Sequence, residues 1–97
     1  MKKAIWSPRA RVELRALVTY LRGRNPAAAK RASAELLSAA DQLVRFPEMG
    51  RAAGSTGRRE RSLTDWHIVM VYRVRAGEIE ISTLRDTRRN PSDQVED

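Results

Sequence analysis

Cysteine is absent from the 97 residues, so the chain has no disulfide and no thiolate metal site. Aromatic residues are sparse, with two tryptophans, two tyrosines and one phenylalanine, and His67 is the only histidine. Few groups are therefore available to carry a proton near neutral pH. The longest uninterrupted apolar run is Ile68 to Tyr72, far short of the ~20 residues of a membrane-spanning helix. The segment Ala52 to Gly57, followed by Arg58 and Arg59, lacks the lysine and the spacing of a phosphate-binding P-loop. No metal-ligand spacing is present either. The expectation is a protein with no cofactor, no metal and no membrane contact. Met1-Lys2-Lys3 could open a signal peptide, but Ser7-Pro8-Arg9 follows before any apolar stretch. A soluble, cytoplasmic protein is expected.

What the chain has in excess is arginine. Its net charge is +7. Residues 90–97 hold Asp93, Glu96 and Asp97 and no basic residue, so residues 1–89 carry +10, which is the +7 of the whole chain with those three negative charges removed. A field of that sign attracts polyanions, either nucleic acid or an acidic protein. A length of 97 residues is one domain. A chain of that size buries roughly 60–65% of its unfolded surface, so a partner that covers apolar area would stabilise it. Residues 1–89 are expected to form the domain and residues 90–97 an acidic, flexible tail.

Local signals order the elements. Ala4-Ile5-Trp6 is a short strand stopped by Ser7-Pro8. Ser7 caps a helix whose first position is Pro8. Ala10, Leu14, Leu17, Val18 and Leu21 form its apolar stripe, and Gly23 is expected to end it. Asn25-Pro26 opens a second helix, with Ala29, Ala32, Leu36, Ala39, Ala40, Leu43 and Phe46 on its buried face. The short link predicts an antiparallel helical hairpin. Pro47 ends the second helix. Ala52 to Gly57 reads as a flexible loop, Arg58 to Leu63 as a polar strand, and Trp66 to Val74 as a central strand. Ala76-Gly77 is a two-residue hairpin signal leading into a last strand, Glu78 to Leu84. A turn there sets Val74 opposite Ile79, Arg73 opposite Glu80, Tyr72 opposite Ile81 and Val71 opposite Ser82. One face then carries Ile68, Met70, Tyr72, Val74, Ile79 and Ile81 under the helices. The other carries His67, Val69, Val71, Arg73, Glu80, Ser82 and Leu84. The fold class is α+β, in the order β-α-α-β-β-β, with the helical hairpin on one face of a small, mainly antiparallel sheet.

That order, with the segments Trp6-Ser7-Pro8-Arg9-Ala10, Asn25-Pro26-Ala27-Ala28-Ala29, Phe46-Pro47-Glu48-Met49-Gly50-Arg51, Arg59-Glu60 and Val69-Met70-Val71-Tyr72-Arg73, resembles the ParE/RelE toxin superfamily. Within it, the chain is most similar to the ParE branch. The resemblance covers about residues 3–89. ParE-like chains often read leucine-histidine-glycine at the end of the last strand, where this chain has Leu84-Arg85-Asp86. The resemblance implies the toxin of a type II toxin–antitoxin pair, in a hetero-oligomer with a ParD-like antitoxin that neutralises it. It also implies DNA gyrase as target, inhibited by binding. The rival it implies is a RelE-type ribosome-dependent endonuclease acting on mRNA.

Candidate residues divide along the same line. A nuclease using the ribose 2′-hydroxyl needs a proton acceptor, cations for the developing charge and a donor for the leaving oxygen. Arg59, Arg61, Arg85 and Arg88 could meet phosphate, with His67 as proton carrier beside Asp86. No tyrosine follows residue 72, where RelE-type nucleases often carry one. A partly exposed strand histidine is the plainer reading of His67, and core packing the plainer reading of Tyr72. For antitoxin or target binding the candidates are Arg9, Arg11, Arg15, Arg58, Arg59, Arg61, Trp66, Arg73, Arg85, Arg88 and Arg89. Each has an ordinary alternative: a solvated helix face for Arg9, Arg11 and Arg15, a charged strand edge for Arg58, Arg59 and Arg61, and a core-edge ring for Trp66. Glu60 suits a structural ion pair. The balance of groups favours a binding protein over an enzyme, with no catalytic residue.

Overall fold

The computed structural model describes residues 3–54 and 56–88. Arg89 and the acidic tail of residues 90–97 lie outside them. The elements are β1 (Ala4–Trp6), α1 (Pro8–Arg24), α2 (Pro26–Arg45), β2 (Arg51–Ala53), β3 (Arg58–Leu63), a 3-10 turn at Thr64–Trp66, β4 (Ile68–Arg75) and β5 (Glu78–Asp86). The strands form one sheet in the order β1-β5-β4-β3-β2. All pairs are antiparallel except β1 with β5. The two helices cover one face, in the α+β arrangement expected.

Both helices start as their sequences dictate. Ser7 Oγ accepts from the N–H of Ala10 at 3.0 Å, and Asn25 Oδ1 accepts from the N–H of Ala28 at 3.1 Å, with proline following each cap. Such caps stabilise by about 1 kcal/mol each. The link is tighter than the sequence indicates. Gly23 remains helical, and Asn25 serves as both the end of α1 and the cap of α2. Ala29, Ala32, Leu36, Ala39, Ala40 and Leu43 are buried as expected, but Phe46 is 60% exposed because α2 has ended before it and the chain turns away.

Two differences in the sheet have physical causes. The stretch read as a loop from Ala52 contains β2, whose Arg51, Ala52 and Ala53 pair with Glu60, Arg59 and Arg58. Two alanines give no alternating pattern, so this edge strand is set by its partner rather than by its own side chains. The β4–β5 hairpin turns at Ala76 and Gly77, both at positive φ, which matches the right-handed twist of its strands. Val74, Arg73 and Tyr72 face Ile79, Glu80 and Ile81 as expected. The register then shifts between Tyr72 and Val71, and Val71 faces Thr83 instead of Ser82. A bulge of one residue exchanges the faces beyond it. Leu84 therefore faces Met70 and joins the core rather than the outer surface. The same shift sets Ile68, not His67, opposite Asp86.

The core lies between helices and sheet: Ala10, Ala32, Leu36, Ala39, Ala40 and Leu43 against Ile68, Met70, Tyr72, Ile79, Ile81 and Leu84. Tyr72 is fully buried and places its hydroxyl under the turn after α2. It donates to the Pro47 carbonyl at 2.7 Å and accepts from the Gly50 N–H at 2.9 Å. A Cβ on Gly50 would meet the Tyr72 hydroxyl at 2.6 Å and the Glu60 carbonyl at 2.8 Å, so only glycine fits there. Tyr72→Phe leaves a buried donor and a half-buried acceptor without this partner. It is expected to lower stability by about 1–3 kcal/mol, read as a lower urea midpoint with unchanged slope.

Candidate functional site

Alternation along β3 divides its cations between the two faces of the sheet. Arg59 and Arg61 stand opposite Tyr72 and Met70, on the helix side. Arg59 Nη1 donates to the carbonyls of Gly50 at 2.6 Å and Glu48 at 3.3 Å. Arg61 Nη1 donates to the Ala39 carbonyl of α2 at 3.1 Å. Arg59 thus holds the segment after α2 and Arg61 holds α2 itself. These two guanidinium groups are engaged within the fold, and neither lies beside the imidazole expected of a nuclease.

The outer face gathers the others. Glu60, whose side chain is 9% exposed, accepts from Arg51 Nη2 at 3.1 Å and from Arg85 Nη2 at 3.0 Å. Burial pushes its carboxyl up, but hydrogen bonds and charge from Arg85 and Arg51 outweigh that and hold its pKa below the ordinary 4.5. Arg58 and Arg73 face each other across β3 and β4 on the same surface. For Tyr72, burial dominates and raises its hydroxyl above the ordinary 10.0, against the Gly50 N–H and the charges of Arg59 and Arg61. It is a neutral structural group at physiological pH.

The remaining sequence candidates are scattered. His67 is exposed at the junction of the 3-10 turn and β4, in the left-handed conformation with φ 54°. Its backbone carbonyl accepts from the Thr87 N–H at 2.9 Å. Asp86 accepts from the backbone N–H of Arg88 at 2.8 Å and pairs with its guanidinium at 3.6 Å. Trp66 donates from Nε1 to Glu35 at 2.8 Å, and Arg31 lies 5.4 Å from its ring centre. Arg9 pairs with Glu13 at 3.4 Å. His67, Arg59, Arg61, Arg85 and Arg88 thus do not converge on one point: Arg59 and Arg61 reach under the sheet, Arg85 reaches Glu60 above it, and Arg88 lies past its end.

A different feature emerges on the N-terminal side. Among the described residues the outer edge of β1 has no neighbouring strand, and β1 and α1 line a groove of about 830 Å³. Ala4, Ile5, Trp6, Leu14, Val18 and Leu37 supply its apolar lining, and Lys3, Arg11, Arg15 and Arg22 its cations. Of these cations, sequence reasoning selected Arg11 and Arg15 and passed over Lys3 and Arg22. The i, i+4, i+11 spacing from Arg11 through Arg15 to Arg22 was the available signal, since it keeps all three on one side of α1. Sequence reasoning also passed over Glu13. Its carboxylate accepts from Thr83 Oγ1 at 2.7 Å and from the Leu84 N–H at 2.9 Å. It thereby occupies the edge of β5 that β1 is too short to cover.

Among the described residues no group of His, Cys, Asp and Glu could hold a metal ion, and no helix is long and apolar enough to cross a membrane. Residues 4–91 match the family described as the ParE toxin of type II toxin-antitoxin system, parDE. Toxin RelE2 of Caulobacter vibrioides is 34% identical over 89 residues, spanning 92% of this chain and 99% of that protein. Among solved structures, a chain of the chromosomal ParDE TA system from P. aeruginosa has the same fold. Its TM-score is 0.76 at 24% identity, over 89% of this chain and 96% of that one.

The outer-face ion network makes stability pH-dependent. Glu60 has a folded pKa below its unfolded value, so its stabilisation is complete above the ordinary carboxylate range. It is lost as pH falls through the folded pKa. Glu60→Gln is expected to cost roughly 1–2 kcal/mol at pH 7 and to flatten the acid limb of urea midpoints measured from pH 7 to pH 3.

Proposed function

The chain belongs to the ParE toxin family of type II toxin–antitoxin systems, and from that premise we propose that it acts by binding, inhibits DNA gyrase, and is neutralised by a ParD-like antitoxin seated in the groove between β1 and α1. The observation that carries this reading is the groove itself. It pairs an open strand edge with an apolar wall and four cations. An acidic, amphipathic segment suits that combination: backbone groups can extend β1, apolar side chains can cover Leu14 and Val18, and carboxylates can meet Arg11, Arg15 and Arg22. Such a segment would also cover the apolar area that a domain of this size leaves exposed.

The dispersal of the proton-transfer and phosphate-binding candidates supports inhibition without catalysis. A nuclease needs a base, cations and an acid within hydrogen-bond reach of one phosphodiester. Here Arg59, Arg61 and Arg85 are committed to structural oxygens at 2.6–3.1 Å. The name of the RelE2 relative favours a second reading, ribosome-dependent mRNA cleavage.

Purified toxin added to gyrase is expected to inhibit supercoiling and to accumulate cleaved DNA, and antitoxin is expected to reverse both. Full supercoiling at saturating folded toxin would sink the gyrase reading. Cuts in translated mRNA that vanish in His67→Ala would establish the rival. Val18→Asp, on the groove wall, is expected to weaken antitoxin binding about ten-fold or more while leaving gyrase inhibition in place. Calorimetric titration beside the supercoiling assay reads both effects.

A further inference from the structure

Arg58 and Arg73 stand directly opposite one another on neighbouring antiparallel strands, on the face of the sheet away from the helices. Like charges in that position repel, with Cβ atoms only about 4.5–5.5 Å apart. Nothing among the described residues neutralises them by a hydrogen bond or an ion pair. Glu60 is adjacent on β3 but is occupied by Arg51 and Arg85. Glu80 faces Arg73 from β5 without forming an ion pair with it. The Nε atoms of both arginines are buried and have no hydrogen-bond partner. The sheet thus brings two cations together, buries one donor of each, and among the described residues supplies no acceptor for either.

We propose that Arg58 and Arg73 form a binding site for one phosphodiester group of a nucleic-acid backbone. Two guanidinium forks side by side suit a tetrahedral phosphate, whose oxygens point in several directions and can serve both. A carboxylate has two coplanar oxygens, which one fork already satisfies. Both arginines are half-buried, so their stems are held on the sheet and little side-chain freedom remains to be lost on binding. Arg75 continues the same face two residues beyond Arg73, at the exposed end of β4, where the next phosphate along a strand can reach it. The chain's +7 charge supplies long-range attraction. This site is separate from the β1–α1 groove, and it stands or falls independently of gyrase inhibition.

The test is fluorescence anisotropy of the full chain with a labelled 20-base-pair DNA duplex, across a salt series. The double variant Arg58→Gln/Arg73→Gln is expected to bind about ten-fold more weakly and to lower the slope of log affinity against log salt by about 1, the signature of one lost phosphate contact. Its thermal midpoint should be equal to or above that of the parent, because a repulsive pair has been removed; a purely structural pair would show a fall. Arg58→Lys/Arg73→Lys keeps the charge but removes the forks and should also bind more weakly. Lys30→Gln/Arg45→Gln removes the same charge from exposed positions on α2 and should have little effect. Equal loss in that control would assign the attraction to net charge and overturn the site, as would parent-like binding by the lysine pair. Binding of a polyglutamate peptide through these arginines, with no binding of DNA, would overturn it in favour of an acidic protein.

Discussion

The joint between the helix layer and the sheet centres on one buried hydroxyl. Tyr72 sits at the middle of the central strand, and its oxygen bridges that strand to the Pro47 carbonyl and the Gly50 N–H. The segment it holds leads from the end of α2 into β2. That anchor acts together with Arg61, which holds α2 at the Ala39 carbonyl, and with the pairing of β2 to β3. The close approach demands glycine at position 50. Arg59 then closes the same turn from beneath by bonding two of its carbonyls. The sequence Phe46-Pro47-Glu48-Met49-Gly50-Arg51 is thus a joint, with its conformation set by a side chain more than twenty residues downstream.

Arginine does different work at each position, and the pleat decides which. On β3, odd-numbered Arg59 and Arg61 turn toward backbone carbonyls, while Arg58 turns outward beside Glu60. A guanidinium offers several fixed donors to backbone carbonyls, so these half-buried cations tie β3 to α2 and to the segment after it. Charge counted along the chain therefore overstates what remains for partners. Among the described residues, cations without a partner in the fold lie along α1 beside the groove and on the outer face of the sheet, with Lys30 and Arg45 exposed on α2.

The helical half of the fold was legible because its signals are local. Ser7-Pro8 and Asn25-Pro26 fix helix starts, and the spacing from Ala29 to Leu43 fixes a buried face without reference to anything distant. The Ala76-Gly77 turn likewise set the first three residue pairs of the last hairpin. The bulge at Ser82 was not legible, since no residue type marks it; it arises where β1 ends and Glu13 takes over the edge of β5. Leu84 consequently lies on the opposite face from the one strict alternation assigns. β2 was hidden for a related reason: its pairing is written in β3 and in Glu60 rather than in its own two alanines. The candidate site was legible only in part, as Arg11 and Arg15, because a groove exists only once the first strand and first helix have been placed against each other.

The parallel pairing of β1 with β5 joins Ala4 to Ile79 and Trp6 to Ile81. The first strand of the chain is thus held by the last. Closing a loop of that length carries an entropic cost that must be met before the contact can reward it. During synthesis, β1 has no sheet to join until β5 has left the ribosome, and Ser7, which caps α1 while donating to the Ser82 carbonyl, cannot complete its hydrogen bonds. A nascent chain interrupted anywhere before residue 79 lacks the strand that seats β1. The protein therefore acquires its N-terminal surface last, although that surface is translated first.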